Sequence, residues 1–262
     1  MKYFLKFVKN KKIKIIFVIF IWIILLFCTY YQYKKYNYLN LEKQELSYLN
    51  KKNIKEINKL KLEEQKQKKF LKNIDLNTDS SITKYVSAKI PFNKKDYIPN
   101  NLINISTGFI VDWKWWWQKL RKEALLSLKE MAKDYYRDTW KKIVVVSAYR
   151  SYLYQKWIKD RWCPDNLCAK AWYSEHQTWL AVDLWAASSN GAWQSKIFKQ
   201  RYNWLKENAY KYGFHNTYQK WLEVDTYEVE PWHWRYLWKS LAKYLWENNL
   251  TFAEFYNKIE QH

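Results

Sequence analysis

Glycine is the residue that this sequence most clearly lacks. Its 262 residues include 3 Gly, 4 Pro and 3 Cys, whereas ordinary usage would give roughly 18 glycines in a chain of this length. These counts exclude collagen-like and Gly/Pro-rich low-complexity proteins, and they also exclude a small disulfide-dense scaffold. The length fits one domain of ordinary size with additional segments.

Tryptophan is as abundant as glycine is scarce, with 18 residues in the chain. A globular chain of this size needs glycine where the backbone takes a positive φ or approaches another segment closely. This imbalance leads to the hypothesis that many of the tryptophans stand at glycine positions. The alternative is a tryptophan-rich surface that binds sugar rings.

Acidic residues are absent from residues 1–14, which hold six lysines, and residues 15–31 carry no charge at all. This apolar run is long enough to cross a bilayer when a flanking lysine snorkels. No small-residue cleavage site follows it, which favours a retained anchor over a cleaved signal peptide. We therefore predict a basic cytoplasmic tail over 1–14, a transmembrane anchor over 15–31, and an extracytoplasmic remainder. The predicted location is the cell membrane, with a single pass.

The net charge of +21 is unevenly distributed, with +12 on residues 1–75 and +9 on the rest. The larger share belongs to the membrane flank and to a solvated helix, where lysine is common. We therefore expect a lipid bilayer as a partner and no nucleic acid. The remaining excess suits an anionic polymer such as a cell wall. The sequence specifies no oligomeric state.

Hydrophobic periodicity divides the rest of the chain into two parts. Residues 32–90 are predicted to form a Lys-rich, helical or partly disordered stalk and a linker, and residues 91–262 a folded domain. Within that domain the pattern predicts helices over 118–137, 194–212 and 239–259 and strands over 143–146, 180–184 and 229–236. The predicted class is α+β, a small antiparallel sheet flanked by helices, preceded by the transmembrane helix and the stalk.

Polar residues beside the predicted strands form one candidate site. His176, Asp183 and His233 are ligand types suited to zinc, and they leave a fourth position for water. A single histidine taken alone is more often structural. Glu230, three residues before His233, strengthens the case because that spacing can place a carboxylate beside a metal-bound water as a general base.

Three segments carry a resemblance to a known family. Residues 174–183, Ser-Glu-His-Gln-Thr-Trp-Leu-Ala-Val-Asp, resemble the SxHxxGxAxD motif of the VanY-type D-alanyl-D-alanine carboxypeptidases. Residues 230–236, Glu-Pro-Trp-His-Trp-Arg-Tyr, are similar to the ExWHW segment of that family, and residues 147–151, Ser-Ala-Tyr-Arg-Ser, to its SGYRS segment. The motifs keep the family's order from about residue 98 to about residue 246.

The resemblance implies the small α+β fold of the VanY and hedgehog-like metallopeptidases, with one zinc ion bound. It implies a zinc-dependent carboxypeptidase that trims D-alanine from peptidoglycan stem peptides by hydroxide attack from a zinc-bound water. The implied metal ligands are His176, Asp183 and His233, with Glu230 as the general base.

Other residues receive substrate roles from the same resemblance. Arg150 is expected to stabilise the oxyanion or to hold the substrate carbonyl. The residues expected to orient the substrate peptide are Ser174, Gln155 and Tyr236.

Several alternatives remain open at this stage. Within the enzyme class they are an L,D-carboxypeptidase acting on tetrapeptide stems, a D-Ala-D-Ala dipeptidase and a wall endopeptidase. The alternative from another class is a non-catalytic protein that binds the cell wall. The complete ligand set together with Glu230 favours an enzyme.

Glycine positions of the family motifs are tryptophan in this chain. Trp172, Trp179 and Trp238 stand where the family has glycine, whereas Trp232 and Trp234 stand where it has tryptophan. The hypothesis that explains both is a gene in which UGA encodes glycine, translated here with UGA as tryptophan. If Trp179 is a true tryptophan, we expect a catalytically impaired wall-binding protein.

Other tryptophans bear on the same hypothesis. Eight occupy turn-like or loop-like places and are predicted glycine positions: Trp113, Trp115, Trp116, Trp117, Trp140, Trp157, Trp162 and Trp221. Five are left unassigned by the sequence: Trp22, Trp185, Trp193, Trp204 and Trp246.

Two cysteines lie close together just before the first motif. Cys163 and Cys168 are spaced to close a small disulfide loop outside the cytoplasm. Two free thiols or a second metal site are the alternatives.

Overall fold

A computed structural model describes residues 11–105, 108–114, 118–161, 163–185, 195–220 and 222–260. The chain divides into two compact units, Met1–Lys66 and Gln67–His262. The first unit consists, where described, of most of helix α1 (Lys11–Lys72). By length and composition α1 can cross a membrane, and its most apolar 18-residue window has a mean hydropathy of 2.6. The predicted anchor, residues 15–31, lies within α1, and most of the predicted basic tail lies outside the described residues.

The second unit contains short strands and helices that alternate along the chain. Its strands are β1 (Leu102–Asn104), β2 (Ile110–Asp112), β3 (Lys119–Arg121), β4 (Ile143–Ser147), β5 (Ala181–Leu184), β6 (Phe214–Asn216) and β7 (His233–Tyr236). Its α-helices are α2 (Lys122–Thr139), α3 (Tyr152–Asp160), α4 (Lys196–Asn208), α5 (Leu222–Asp225), α6 (Trp238–Glu247) and α7 (Phe252–Glu260). Two 3-10 helices cover Glu175–Thr178 and Ala209–Tyr212.

Five of these strands form the central sheet, in the order β2-β4-β5-β7-β6, and β1 pairs with β3 in a separate two-stranded sheet. All the neighbouring strand pairs are antiparallel except β2 and β4, which are parallel. The predicted α+β class with a small antiparallel sheet flanked by helices is confirmed, except that the β2–β4 pair is parallel. Strands β1, β2, β3 and β6 were not predicted, because three residues are too few to show an alternating pattern.

The main core forms where periodic apolar residues of a helix meet the sheet. Helix α2 buries one face, which includes Ala124, Leu128, Met131 and Tyr135. Strand β4 alternates between buried and half-buried positions along its length. Both elements are therefore where the periodicity predicts them.

A second apolar cluster determines where the compact unit begins. Leu76 and Tyr85 pack with Leu241 of α6 and Phe252 of α7. The unit consequently begins at Gln67, before the predicted domain start at residue 91, because the segment assigned to the linker contributes buried side chains. The predicted helix over 239–259 is two helices, α6 and α7, and between them Asn249 takes a φ of 51° that an α-helix cannot continue through.

Left-handed backbone conformations fall on tryptophan with unusual frequency. Seven non-glycine residues among those described have a positive φ, and besides Thr226 and Asn249 they are Trp140, Trp172, Trp179, Trp185 and Trp238. A side chain with a Cβ in this region costs about 1–2 kcal/mol.

Two other predicted glycine positions that the structure describes do not show this conformation. Trp113 does not have a positive φ, and Trp157 lies inside helix α3. The other predicted glycine positions, Trp115, Trp116, Trp117, Trp162 and Trp221, lie outside the described residues, as does Trp193, which the sequence leaves unassigned.

Gly213 and Gly108 provide a matched test of backbone crowding, because both have a positive φ. A Cβ added at Gly213 would lie 2.7 Å from the Tyr236 ring, whereas one added at Gly108 would have no atom of the described residues within 4 Å, its chain neighbours aside. We predict that Gly108→Ala destabilises the fold by about 1–2 kcal/mol, and that Gly213→Ala costs about 1–3 kcal/mol more because of overpacking. Urea denaturation of the full chain in detergent measures both, and equal losses would contradict the crowding.

Candidate functional site

The pairing of three central strands places polar residues in one row across the sheet. Ser147 of β4 is opposite Asp183 of β5, and Asp183 is opposite His233 of β7. Directly paired residues have their side chains on the same face of a sheet. The row therefore brings together residues 36 and 50 positions apart in the chain.

His176 reaches the same row from the 3-10 helix that precedes β5. Its Nε2 atom is 3.2 Å from Asp183 Oδ1. Its Nδ1 atom is 2.5 Å from the carbonyl oxygen of Ala148, so that this nitrogen carries the proton and donates it to the carbonyl. The Nε2 lone pair is thereby directed toward Asp183.

His233 is arranged with its nitrogens in the opposite roles. Its Nδ1 atom is 3.1 Å from Asp183 Oδ1, and its Nε2 atom is 2.8 Å from Glu175 Oε2. One ligand atom from each of His176, Asp183 and His233 lies within 4.8 Å of the others, and all three residues are buried. Two imidazole nitrogens and one carboxylate oxygen at this spacing fit a single Zn²⁺ ion with an open fourth position.

Glu230 and Arg150 lie beside this cluster. Glu230 Oε2 is 3.9 Å from His233 Nδ1, and the Glu230 side chain keeps 14% of its surface exposed. Arg150 Nη2 donates to Asp183 Oδ2 at 2.5 Å and its Nε donates to Ser147 Oγ at 3.0 Å. Arg150 thus fixes the second oxygen of Asp183, a contact that the motif comparison did not predict.

Burial sets the protonation behaviour of the cluster. It makes a charged imidazole costly and lowers the pKa of His176 to about 4. Burial acts in the same direction on His233, but hydrogen bonds to Asp183 and Glu175 outweigh it and raise the pKa to about 10. Burial also raises the pKa of Glu230 to about 7. A carboxyl group with a pKa near neutrality can both accept and release a proton under physiological conditions.

A pocket opens onto the cluster, and two of the three predicted substrate residues line it. Ser174 and Gln155 are both buried in its wall, and Gln155 Nε2 donates to the carbonyl oxygen of Ala169. Tyr236 does not reach the pocket. It packs against Phe214 in the main core, because alternation along β7 places Tyr236 on the face opposite His233. The predicted substrate role of Tyr236 is therefore not supported by its position.

Several residues of the site were not predicted from the sequence. Glu175 lies between two motif residues and was given no role, although it bonds to His233. Tyr218 and Tyr227 line the pocket, and the Tyr218 ring stacks on His233 at a centroid distance of 4.8 Å. Glu175 could have been found as an acid adjacent to a ligand. The two tyrosines lie outside all three motifs, and no signal in the sequence indicates them.

Cys163 and Cys168 are joined by a disulfide bond in the structure. The loop that they close ends at the pocket, because Leu167, Cys168 and Ala169 contribute to its lining. The bond therefore constrains one wall of the candidate site.

Together the fold and the site define a compact α+β unit with a buried two-histidine, one-aspartate site. Residues 117–239 match the family model described as VanY D-alanyl-D-alanine carboxypeptidase. The YodJ protein of Bacillus subtilis (strain 168), whose name assigns it provisionally to the carboxypeptidases, is 36% identical over 176 residues. That match covers 63% of this chain and 64% of YodJ, so that the chain spans just under two thirds of the relative's length.

Solved structures agree with these sequence matches. The LdcB LD-carboxypeptidase is 30% identical with a TM-score of 0.58, and the match covers 69% of this chain and 87% of that one. A vancomycin-resistance D,D-pentapeptidase VanY, solved as a variant in complex with Zn(II), shares the fold at 24% identity, with a TM-score of 0.51 and coverage of 65% and 96%. The chain belongs to the VanY D-alanyl-D-alanine carboxypeptidase family, as its motifs predict.

Thiol counting tests the disulfide at the pocket wall. Cys28 is the remaining cysteine and is free. We predict that the full chain, unfolded without reductant, exposes one reactive thiol, and that it exposes three after reduction. A count of three before reduction would show that Cys163 and Cys168 are not bonded.

Proposed function

We propose that this protein is a membrane-anchored, zinc-dependent carboxypeptidase that removes a terminal D-alanine from peptidoglycan stem peptides. The observation that carries the proposal is the buried cluster of His176 Nε2, Asp183 Oδ1 and His233 Nδ1, with the Glu230 carboxylate 3.9 Å from the last of these atoms. The VanY relative solved with Zn(II) supports zinc as the metal.

In this proposal His176, Asp183 and His233 hold the ion. When bound, zinc acts as a Lewis acid and makes a water-derived nucleophile available near neutral pH. Glu230 Oε2 takes the proton of the attacking water and later delivers it to the leaving amine. Burial raises the pKa of Glu230 to about 7, which suits both transfers.

Arg150 and the pocket residues act on the substrate in this proposal. Two donors of Arg150 are used by Asp183 and Ser147, and its side chain keeps 21% of its surface exposed. Its remaining N–H groups can therefore face a peptide carbonyl and complement the charge that develops there. Ser174 and Gln155 are proposed to orient the stem peptide along the pocket wall.

We also propose an anchored topology. The apolar section of α1 crosses the membrane, residues 1–14 remain in the cytoplasm, and the compact unit faces the cell wall. This arrangement supplies both proposed partners, a lipid bilayer for the anchor and a peptidoglycan stem peptide for the pocket.

A second candidate activity, that of an LD-carboxypeptidase, is favoured by the comparison with one solved structure. The LdcB structure, an LD-carboxypeptidase, has a higher TM-score and identity than the D,D-pentapeptidase. The alternative substrate is accordingly a tetrapeptide stem that ends in one D-alanine.

The two activities are separated by the peptide that is shortened. Purified full chain in detergent, loaded with zinc, is incubated with stem pentapeptides ending in D-Ala-D-Ala and with tetrapeptides, and the products are weighed. We predict loss of one D-alanine from the pentapeptide. Cleavage of the tetrapeptide alone would favour the LD-carboxypeptidase, and cleavage of neither would favour a wall-binding protein.

The role of Glu230 is tested by a charge-removing variant. Glu230→Gln should retain zinc but lose hydrolysis by roughly 10²–10⁴-fold, the usual contribution of a general base. His176→Ala should lose both zinc and hydrolysis, because it removes a ligand. Metal content and rate are measured on the same samples.

Glu223→Gln is the matched control, since Glu223 of α5 is exposed and does not line the pocket. It should behave as the unaltered chain does. Full activity in Glu230→Gln would refute the assigned base.

A further inference from the structure

Glu175 lies behind the cluster, on the side of His233 that faces away from Asp183. Its Oε2 atom is 2.8 Å from His233 Nε2, and the side chains of both residues are almost completely buried. His176 is oriented by a different kind of partner, because its Nδ1 atom is hydrogen-bonded to the backbone carbonyl of Ala148. His233 thus has a charged partner, the Glu175 carboxylate, and His176 has a neutral one, a backbone carbonyl.

Glu175 is itself held in place by two further side chains. Thr217 Oγ1 donates to Glu175 Oε2 at 2.9 Å, and Arg235 Nη1 lies 3.9 Å from Glu175 Oε1. Arg235 is fully buried, and its Nη2 donates to the carbonyl oxygens of Ile82 and Lys84. The position of Glu175 is therefore fixed from the sheet and from the segment before it.

We infer that Glu175 is a positioning residue for His233, an inference that rests on the proposed zinc site. When the ring is neutral, as a metal ligand must be, the Glu175 carboxylate accepts a hydrogen bond from Nε2–H, which fixes the tautomer and leaves the Nδ1 lone pair facing Asp183. A carboxylate in this place also makes the imidazole a stronger ligand, and loss of such partners typically reduces metal affinity 10–100-fold.

The test measures zinc affinity and the tautomer of His233 in the full chain. Glu175→Ala should bind zinc 10–100-fold more weakly, and Glu175→Gln, which keeps an acceptor but no charge, should fall between it and the unaltered chain. Nitrogen-15 NMR of the zinc-loaded samples, in which His233 is neutral, should show the proton on Nε2 in the unaltered chain and a mixture of Nδ1–H and Nε2–H forms in Glu175→Ala. A purely structural role would not change the tautomer.

Thr217→Val serves as the control, because it removes one support of Glu175 and leaves its bond to His233. Its zinc affinity should change less than that of Glu175→Ala. If Glu175→Ala fails to fold, the affinity of Glu175→Gln decides, and unchanged affinity overturns the inference. Failure of the unaltered chain to bind zinc would instead overturn the proposed function.

A separate observation concerns the tryptophans with positive φ. The indole N–H groups of Trp172, Trp179 and Trp185 are buried without a hydrogen-bond partner among the described residues. By contrast, Trp204 donates to Asp138, Trp234 to the Pro231 carbonyl and Trp246 to the Lys206 carbonyl, and none of these three has a positive φ. For these six tryptophans, backbone conformation and indole hydrogen bonding therefore give the same division.

Crowding around Trp179 also argues against a tryptophan at this position. Its ring lies on Tyr149 at a centroid distance of 3.3 Å, below the range of about 4.5–7 Å that aromatic pairs prefer. Trp179 also ends the 3-10 helix that carries His176, at a φ of 63°. Glycine adopts this conformation without strain and would remove the crowded ring.

The geometry points to glycine at five positions in the protein made by its own cell, at which the gene carries UGA codons that the cell reads as glycine. These positions are Trp140, Trp172, Trp179, Trp185 and Trp238. The tryptophans with bonded indoles, Trp204, Trp234 and Trp246, are true tryptophans. This assignment resolves three of the residues that the sequence left open, Trp185 among the glycines and Trp204 and Trp246 among the tryptophans.

Peptide mass spectrometry of the native protein tests the assignment directly. Tryptic peptides 138–141, 171–196 and 236–239 cover the five positions, and peptides 202–206 and 244–258 contain the controls Trp204 and Trp246. We expect the residue mass of glycine at all five positions and that of tryptophan at both controls. Tryptophan at the five positions would overturn the inference, and glycine at the controls would overturn the division by backbone conformation.

Discussion

The rest of the site depends on the contacts that buried Asp183 makes with two imidazoles. A carboxylate that is only 4% exposed needs compensating partners, and His176, His233 and Arg150 supply them. Because Asp183 pairs directly with His233 across β5 and β7, sheet register alone positions two of the three residues of the cluster. A shift by one residue would turn either side chain to the opposite face and dismantle it.

The surroundings of the cluster explain how two flexible imidazoles are held in complementary orientations. A backbone carbonyl holds His176, and a buried acid holds His233. Arg235 connects that acid to the segment before the sheet, so that residues once assigned to a linker contribute to the site. These contacts also explain why the compact unit begins at Gln67, before the predicted domain start at residue 91.

The structure confirms the fold class predicted from the sequence, and it brings the predicted ligand residues together beside Glu230. Ligand types and Glu230 follow from local motifs, and long elements such as α2 follow from their periodicity. Tyr236 was predicted to orient the substrate, which its position does not support, because a motif does not reveal which face of a strand a residue occupies. Tyr218 was missed because only tertiary packing brings it to His233. The three-residue strands could not be predicted, since pairing with neighbours rather than local preference forms them.

X-ray absorption at the zinc edge, measured on the full chain together with its metal content, tests the central claim most directly. The account predicts one zinc ion per chain, bound by two imidazole nitrogens and a carboxylate oxygen at about 2.0–2.2 Å, with a further light-atom ligand from solvent. A signal from sulfur ligands at about 2.3 Å, or a folded chain that takes up no zinc, would contradict it.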